Sequence, residues 1–565
     1  MVSTKFVALG LLGLAVACGN RNPSGGDAAG PASKLEIEPA NLTVTVRNGV
    51  AVMQPYQAHL LNPDGTTVDV TDSTSFAFEQ GAFGSFVANN ATISGAAGGV
   101  GLIVGTRNGF EAKVNITVNV DSERLEPGAP ADCFTRYAAA TADTTNPPQL
   151  AYPADGVIVP PNIGSFEVHW RAGHEAQVVK LSNQYISLRI CKAGGGDQWT
   201  AFGAGEWSAL SRTQAPFEIE VAGLDAAAPT TKYVAPIRHA SVTNQGVRGG
   251  IYYWSSTQAA IMRYDMARPN VPVEQFTPSN PHGGCIGCHV LSRDGKKLAA
   301  NYRVEGIGVT ANPATKVETP SAYFAFASFN AAATKLALVA GGERFDLVEA
   351  DSGTPIAQIP TTPGLYITHP EFSFDGTQLA YVEYPANDSA FPSQGSIMIR
   401  SFDDATNTFG APRTLVANAA GAANFYPAFS PDGKWVLFTR TDYAGYDQPT
   451  AKSWIVPSDG SSAPIELAAA NAIGNLTDSW PRWLPFATTY GPNNEPMYFL
   501  SFSSKREFGV KIPAAANRPQ IWMSAFFPSR ATAGQDPSAP AFWFPFQIME
   551  HGNHIAQWAE AVVVE

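Results

Sequence analysis

Polar and apolar residues alternate in short runs along most of the chain. Leu35-Glu36-Ile37-Glu38 and Leu42-Thr43-Val44-Thr45-Val46 put an apolar side chain at every second position, the period of a strand with one buried face. Similar runs span Tyr56 to Leu61 and Ala112 to Val120, and Asn48-Gly49, Asp64-Gly65 and Asn108-Gly109 fall between runs as turns. Short alternating strands at this spacing predict a β-sandwich over 34–120. A linker is expected over 121–147, ending at Asn146-Pro147-Pro148. Alternation resumes over 148–248, where Phe166-Glu167-Val168-His169-Trp170 reads as a strand with a core Trp. Leu181 to Cys191 and Phe217 to Val221 read as later strands, so a second sandwich is expected there.

From residue 249 onward the pattern repeats. His369-Pro370-Glu371-Phe372-Ser373-Phe374-Asp375-Gly376 matches Tyr426-Pro427-Ala428-Phe429-Ser430-Pro431-Asp432-Gly433, and Cys288-His289-Val290-Leu291-Ser292-Arg293-Asp294-Gly295 is a third copy. Degenerate copies begin at Phe326 and Trp480. The spacings between Phe329, Phe372, Phe429 and Trp483 are 43, 57 and 54 residues, which suits four-stranded propeller blades. Asp294, Asp375 and Asp432 recur at one turn position, so they read as turn residues and not as paired catalytic carboxylates. The repeat resembles the TolB-type, WD40-like β-propeller family over 249–565. The C-terminal His554-Ile555-Ala556-Gln557-Trp558 is similar to the start of one more copy, and Gly250 to Trp254 and Ala260 to Tyr264 supply the strands it lacks. The expected architecture is therefore all-β: two sandwiches, then a six-bladed propeller whose last blade mixes the chain ends and leaves no free sheet edge.

The N-terminus sets the compartment. Lys5 precedes a short apolar run from Phe6 to Ala17, too short to span a bilayer and of the length of a secretory core. Leu14-Ala15-Val16-Ala17-Cys18 resembles a bacterial lipoprotein signal over 1–18, which implies cleavage before Cys18 and a lipid on its sulfur; an ordinary secretory signal is the alternative. Residues 19–33 are a Gly/Ser/Asn/Pro tether. The resemblance implies an exported protein held to the membrane by its lipid, with Asn20 pointing to the outer membrane. The 34–120 segment, with Ile37-Glu38-Pro39, Asp64-Gly65 and Asn108-Gly109, resembles group 2 bacterial Ig-like domains, and 148–248 resembles a fibronectin- or Ig-like sandwich. Such modules usually act as spacers or adhesins.

Composition adds two constraints. The net charge is -12 with no basic stripe, which argues against a nucleic-acid partner. Charged residues are 15% of the chain, while glycines number 51 and prolines 43, as expected of strands and tight turns. The five cysteines divide by position. In an exported protein Cys133 and Cys191 are expected to pair, a closure of the intervening loop worth about 4 kcal/mol in the chain-entropy model.

The remaining two form Cys285-Ile286-Gly287-Cys288-His289, the CxxCH signature of c-type haem. Cys285 and Cys288 would bond to the haem vinyl groups, and His289 would be the proximal iron ligand. A Cys285–Cys288 disulfide beside an ordinary histidine is the competing reading, and a zinc half-site lacks its second pair. Cys288 falls in the repeat column of His369, Tyr426, Trp480 and Ile555, at one mouth of the expected channel. Distal-ligand candidates are His554 first, then His551, Met549 and His369, with His282 also within reach by loop. No Gly-x-Ser-x-Gly, His-Glu-x-x-His or phosphate loop occurs, so the chain is expected to carry electrons more readily than to act as an enzyme. A redox protein, an envelope protein or a glycan is the expected partner. The rival function is a surface binding or adhesion protein that uses the Ig-like modules and the propeller.

Overall fold

The computed structural model describes residues 33–269, 271–277, 286–302, 307–340, 344–386, 393–443 and 447–563. Cys18, the signal segment, His282 and Cys285 lie outside the described residues. The fold is all-β, with three short α-helices among the described residues, Cys133–Ala139, Ala204–Ser211 and Pro528–Thr532.

Alternation in the sequence becomes alternation in burial. Lys34–Glu38 and Leu42–Arg47 bury Leu35, Ile37, Val44 and Val46 and expose the residues between them. These side chains pack with Tyr56, Phe76, Phe78, Ile103, Ile116 and Val118 in one core. Leu42–Arg47 runs parallel to the long strand Phe110–Leu125, which pairs antiparallel with Gly99–Arg107.

The stretch expected as a linker is built into the fold. Phe110–Leu125 continues past residue 120, and its end pairs in parallel with Ile186–Ala193, from Val120↔Ile186 to Leu125↔Cys191. Strands of both front segments thus share one sheet of 11 strands, beside three sheets of three strands each, because this strand is long enough to run from one segment into the other. Within 121–147, Cys133–Ala139 is helical and Thr141–Asp143 pairs with Thr231–Val234. Cys133 and Cys191 are joined by a disulfide with Cα atoms 6.6 Å apart. Both are fully buried and pack with Tyr137, Val178 and Leu224, so the bond ties the helix to the shared sheet. Trp170 is fully buried, as the pattern around it predicts.

From residue 250 onward, six antiparallel sheets follow one another. Their first strands are Ile286–Leu291, Phe326–Phe329, Leu365–Phe372, Ala423–Phe429, Asp478–Tyr490 and Asn553–Ala559. Each first strand touches the next in this order, and Asn553–Ala559 touches Ile286–Leu291, so they form a closed ring. The sheet of Asn553–Ala559 takes its other strands from Gly250–Ser255, Ala260–Asp265 and Glu274–Gln275.

The Ser-x-Asp-Gly turns recur atom for atom. Ser292, Ser373 and Ser430 donate through Oγ to Asp294, Asp375 and Asp432 at 2.7, 2.6 and 2.6 Å. Each Oδ1 then accepts the backbone N–H of Lys296, Thr377 or Lys434. The following glycines have φ of 74, 73 and 71°, the left-handed region that glycine enters without strain. The carboxylates are spent on turns, which explains their repetition.

Candidate functional site

The ring strands share a second device. In four of them the ladder sets two residues against one on the neighbouring strand, at 369–370, 426–427, 480–481 and 555–556. These are β-bulges, which re-aim side chains. The first residue of each pair is left-handed: His369, Tyr426, Trp480 and Ile555 have φ of 49, 55, 54 and 50°. Bulky and β-branched residues rarely adopt that conformation. In the first sheet the skipped pair is Gly287 and Cys288, one position earlier in the repeat.

The bulges crowd aromatic rings into one end of the ring. His369 lies 4.1 Å from Phe326 and 4.2 Å from Tyr426 between ring centroids, and Tyr426 lies 4.3 Å from Trp480. A cavity of about 20 Å³ remains beneath them, lined by His289, His369, Phe326, Trp480, Arg482 and Gln557 among others. That is room for about one water.

His289 is 2% exposed, and neither of its ring nitrogens has a hydrogen-bond partner. Burial pulls its pKa down to about 4, the Tyr252 backbone works against that, and the Arg482 charge adds to it. Both ring nitrogens of His369 are likewise unpaired, and burial followed by the Arg482 charge holds its pKa well below the ordinary histidine value. Two neutral imidazoles with free lone pairs therefore face one space at neutral pH. Burying such groups unpaired is costly.

The other distal candidates are elsewhere. His554 precedes the inward-facing column by one residue, so its side chain takes the opposite face of the strand. It pairs with Trp254 across the ladder, its ring 5.4 Å from that indole, and burial takes its pKa to about 3. His554, the first distal-ligand candidate, is not among the residues that line the cavity; the histidine that shares it with His289 is His369. His551 is engaged by the Ser255 hydroxyl and the Gln258 amide, both at 3.1 Å. Met549 packs on the cluster that contains Phe508 and Trp543.

Deeper in the ring lies a pair of charges that the motif search did not single out. Glu371 and Arg482 occupy one repeat column, with Val290, Ser328, Ala428 and Gln557 at the equivalent positions. Burial raises the Glu371 carboxyl to about 6, and the Arg482 charge opposes that rise. Burial lowers the Arg482 pKa while Glu371 raises it. The signal for this site was present in the sequence: a column whose residue type changes from copy to copy.

No group of three or more metal-ligating side chains occurs among the described residues, and no helix among them is long and apolar enough to cross a membrane. No protein-family model matches the chain, and no curated protein does. Solved structures similar to it include TolB from Acinetobacter baumannii, 12% identical, covering 61% of this chain and 79% of that one, with a TM-score of 0.36. The putative TolB from Agrobacterium tumefaciens is 16% identical, covers 53% of this chain and 89% of its own, and has a TM-score of 0.31. Dihydro-heme d1 dehydrogenase NirN in complex with DHE is 11% identical, covers 49% and 51%, and has a TM-score of 0.30. Likenesses this weak carry no information on function.

Proposed function

We propose that the chain is an exported, lipid-anchored c-type monohaem protein whose six sheets are the blades of a TolB-like propeller and whose front modules are Ig-like spacers. In this reading Cys18 carries the lipid, Cys285 and Cys288 anchor the haem, and His289 is its proximal ligand. The observation that carries the reading is His289 itself. It directly follows the CxxC pair, is buried and neutral, and has two ring nitrogens without partners. A neutral imidazole with a free lone pair is what an iron ligand requires.

The donor set fits a c-type haem; the enclosed space does not. Ligand pockets run from about 300 to 1,000 Å³, whereas the cavity beside His289 is about 20 Å³. Attachment would therefore require His289 and the aromatic cluster at His369, Tyr426 and Trp480 to repack. When bound, the haem would supply one-electron transfer, and the partner would be a redox protein of the envelope. The aromatic seal also favours a second reading, in which Cys285 and Cys288 form a disulfide and the ring binds an envelope protein or a glycan.

One experiment separates the two. The full chain is produced with a haem-attachment system, denatured and examined by absorption spectroscopy. A haem band that stays with the polypeptide and disappears in Cys285→Ala plus Cys288→Ala supports the first reading. No bound haem in the parent chain sinks it in favour of the second.

A further inference from the structure

The half of the channel beyond Arg482 holds a separate cavity of about 80 Å³. Its lining runs from Glu371, Arg482 and Gln557 inside the ring to Arg293, whose side chain is 41% exposed. It therefore reaches the surface at the end away from His289. Glu371 and Arg482 stand on sheets separated by the sheet of Ala423–Phe429. The equivalent residue of that middle sheet is Ala428, whose small side chain leaves the space between them open.

Three polar groups face this space with bonding capacity to spare. The Arg482 Nη1 donates to the Pro481 carbonyl at 3.2 Å, while its Nε has no partner. Glu371 and Arg482 attract each other without a hydrogen bond between them. The Gln557 amide, 8% exposed, makes no hydrogen bond among the described residues. Opposite charges in so enclosed a place, each only partly exposed, normally close into direct contact or are each satisfied by something else. Here they are held apart across a cavity by the closed ring of strands.

We propose that this cavity binds a small zwitterion of the size of glycine, its carboxylate on the Arg482 guanidinium and its ammonium on the Glu371 carboxylate, with the Gln557 amide, on the sheet next to that of Arg482, beside the bound carboxylate. The argument is charge balance. Inside the ring the charges of Glu371 and Arg482 cancel, and Arg293 at the mouth is already paired with Glu560, so the occupant is neutral overall, and it carries both signs at opposite ends. A simple anion would satisfy Arg482 and leave Glu371 buried without a partner; a simple cation would do the reverse. Each omission costs the desolvation of a charged group. Size sets the other limit. A dry cavity of about 150 Å³ holds the six heavy atoms of benzene, so a cavity of about 80 Å³ encloses about three, and even glycine, the smallest amino-acid zwitterion, extends toward the open mouth at Arg293. Apolar side chains such as Phe329 and Phe429 make up much of the wall, but an apolar occupant would leave both charges unsatisfied. The site opens at the end away from His289, so it stands whether or not haem is attached.

The test is equilibrium dialysis of the full chain against radiolabelled glycine, with acetate and methylammonium as single-charge competitors. Saturable binding of one glycine per chain is expected, with each competitor at least about tenfold weaker, a difference of about 1.4 kcal/mol. Glu371→Gln and Ala428→Leu should each weaken binding by about tenfold or more, the first by removing a charge and the second by filling the space. Thermal melting of each variant establishes that it is folded; Glu371→Gln conserves shape and keeps the test open if the leucine variant does not fold. Absence of saturable binding at about 10 mM glycine, a free energy weaker than about 3 kcal/mol, would overturn the proposal and leave water as the occupant. So would acetate binding as tightly as glycine, or a folded Glu371→Gln protein that binds glycine like the parent.

Discussion

Position 426 should tolerate glycine better, relative to alanine, than an ordinary strand position does. Tyr426 has a φ of 55° at the bulge, and its ring packs on His369 and Trp480. Tyr426→Ala and Tyr426→Gly remove the same buried ring, so the packing loss, about 3–5 kcal/mol by comparison with other aromatic truncations, largely cancels between them. What remains is the backbone. A left-handed conformation costs an L-residue about 1–2 kcal/mol and glycine almost nothing. In a regular strand the order reverses, and glycine is worse than alanine by about 0.5–1 kcal/mol. Ala428, two residues on, lies in the regular ladder opposite Leu437 and has no positive φ, so Ala428→Gly gives the ordinary exchange in the same strand. The alanine-to-glycine change should thus be about 1.5–3 kcal/mol more favourable at 426 than at 428. Hydrogen exchange of the amides in Trp435–Thr441, the neighbouring strand, reads that difference locally and avoids the unfolding of the front modules. If glycine lowers protection equally at the two positions, the backbone at 426 is not left-handed, and the repeated bulge is not what aims the channel side chains.

Other consequences follow from single groups. Removing the disulfide with Cys133→Ala plus Cys191→Ala should cost about 4 kcal/mol, from the loop-closure entropy of a 58-residue separation; guanidinium unfolding with and without reductant measures it, and a loss under about 1 kcal/mol would contradict the estimate. His554 titrates near 3 when folded and near 6.5 when unfolded, so the unfolded chain takes up the proton first. That contribution is complete above pH 6.5 and is lost as pH falls toward 3, with a magnitude on the order of 4 kcal/mol; His554→Phe should flatten this part of the stability–pH curve. Asp478 is fully buried between Arg506 at 2.6 Å and Lys452 at 3.3 Å, and Asp478→Ala would strand both cations, at a cost of about 3–5 kcal/mol in unfolding experiments. A Cβ at Gly509 would sit 2.1 Å from the Nδ1 of buried His169 at a φ of 51°, so Gly509→Ala should loosen the contact between the second module and the ring, seen as faster proteolysis of the 148–248 region.

Strand periodicity carried most of the architecture. The buried positions of Lys34–Glu38 and Leu42–Arg47 are those that alternation marks, and the Ser-x-Asp-Gly repeats fall on matching turns. The fusion of the two front modules was not legible, because nothing local tells a strand of sixteen residues, Phe110–Leu125, where its first sheet ends. Its second half matches Ile186–Ala193, a pairing decided by distant residues. The placement of His554 outside the cavity of His289 has a related reason. His554 comes one residue before the bulge position Ile555, and one residue of offset puts a side chain on the other face of a strand. The bulges sharpen this sensitivity, since each inserts a residue and shifts the parity of all that follows.

The same parity argument shows where specificity resides in such a repeat. Columns that keep their residue type build the fold: Phe329, Phe372, Phe429 and Trp483 fill the interior between sheets, and the serine and aspartate of each turn hold the hairpin. The inward column that begins at Val290 keeps nothing, running Val290, Ser328, Glu371, Ala428, Arg482 and Gln557. A position free of any structural demand would drift toward small or apolar residues in so enclosed a place, because a buried charge is costly. Two opposite charges and an amide there mean that something offsets that cost. Direct pairing would do so, but the ring holds Glu371 and Arg482 on non-adjacent sheets with a cavity between them. What the fold leaves unsatisfied, a ligand with the complementary pair of charges would satisfy.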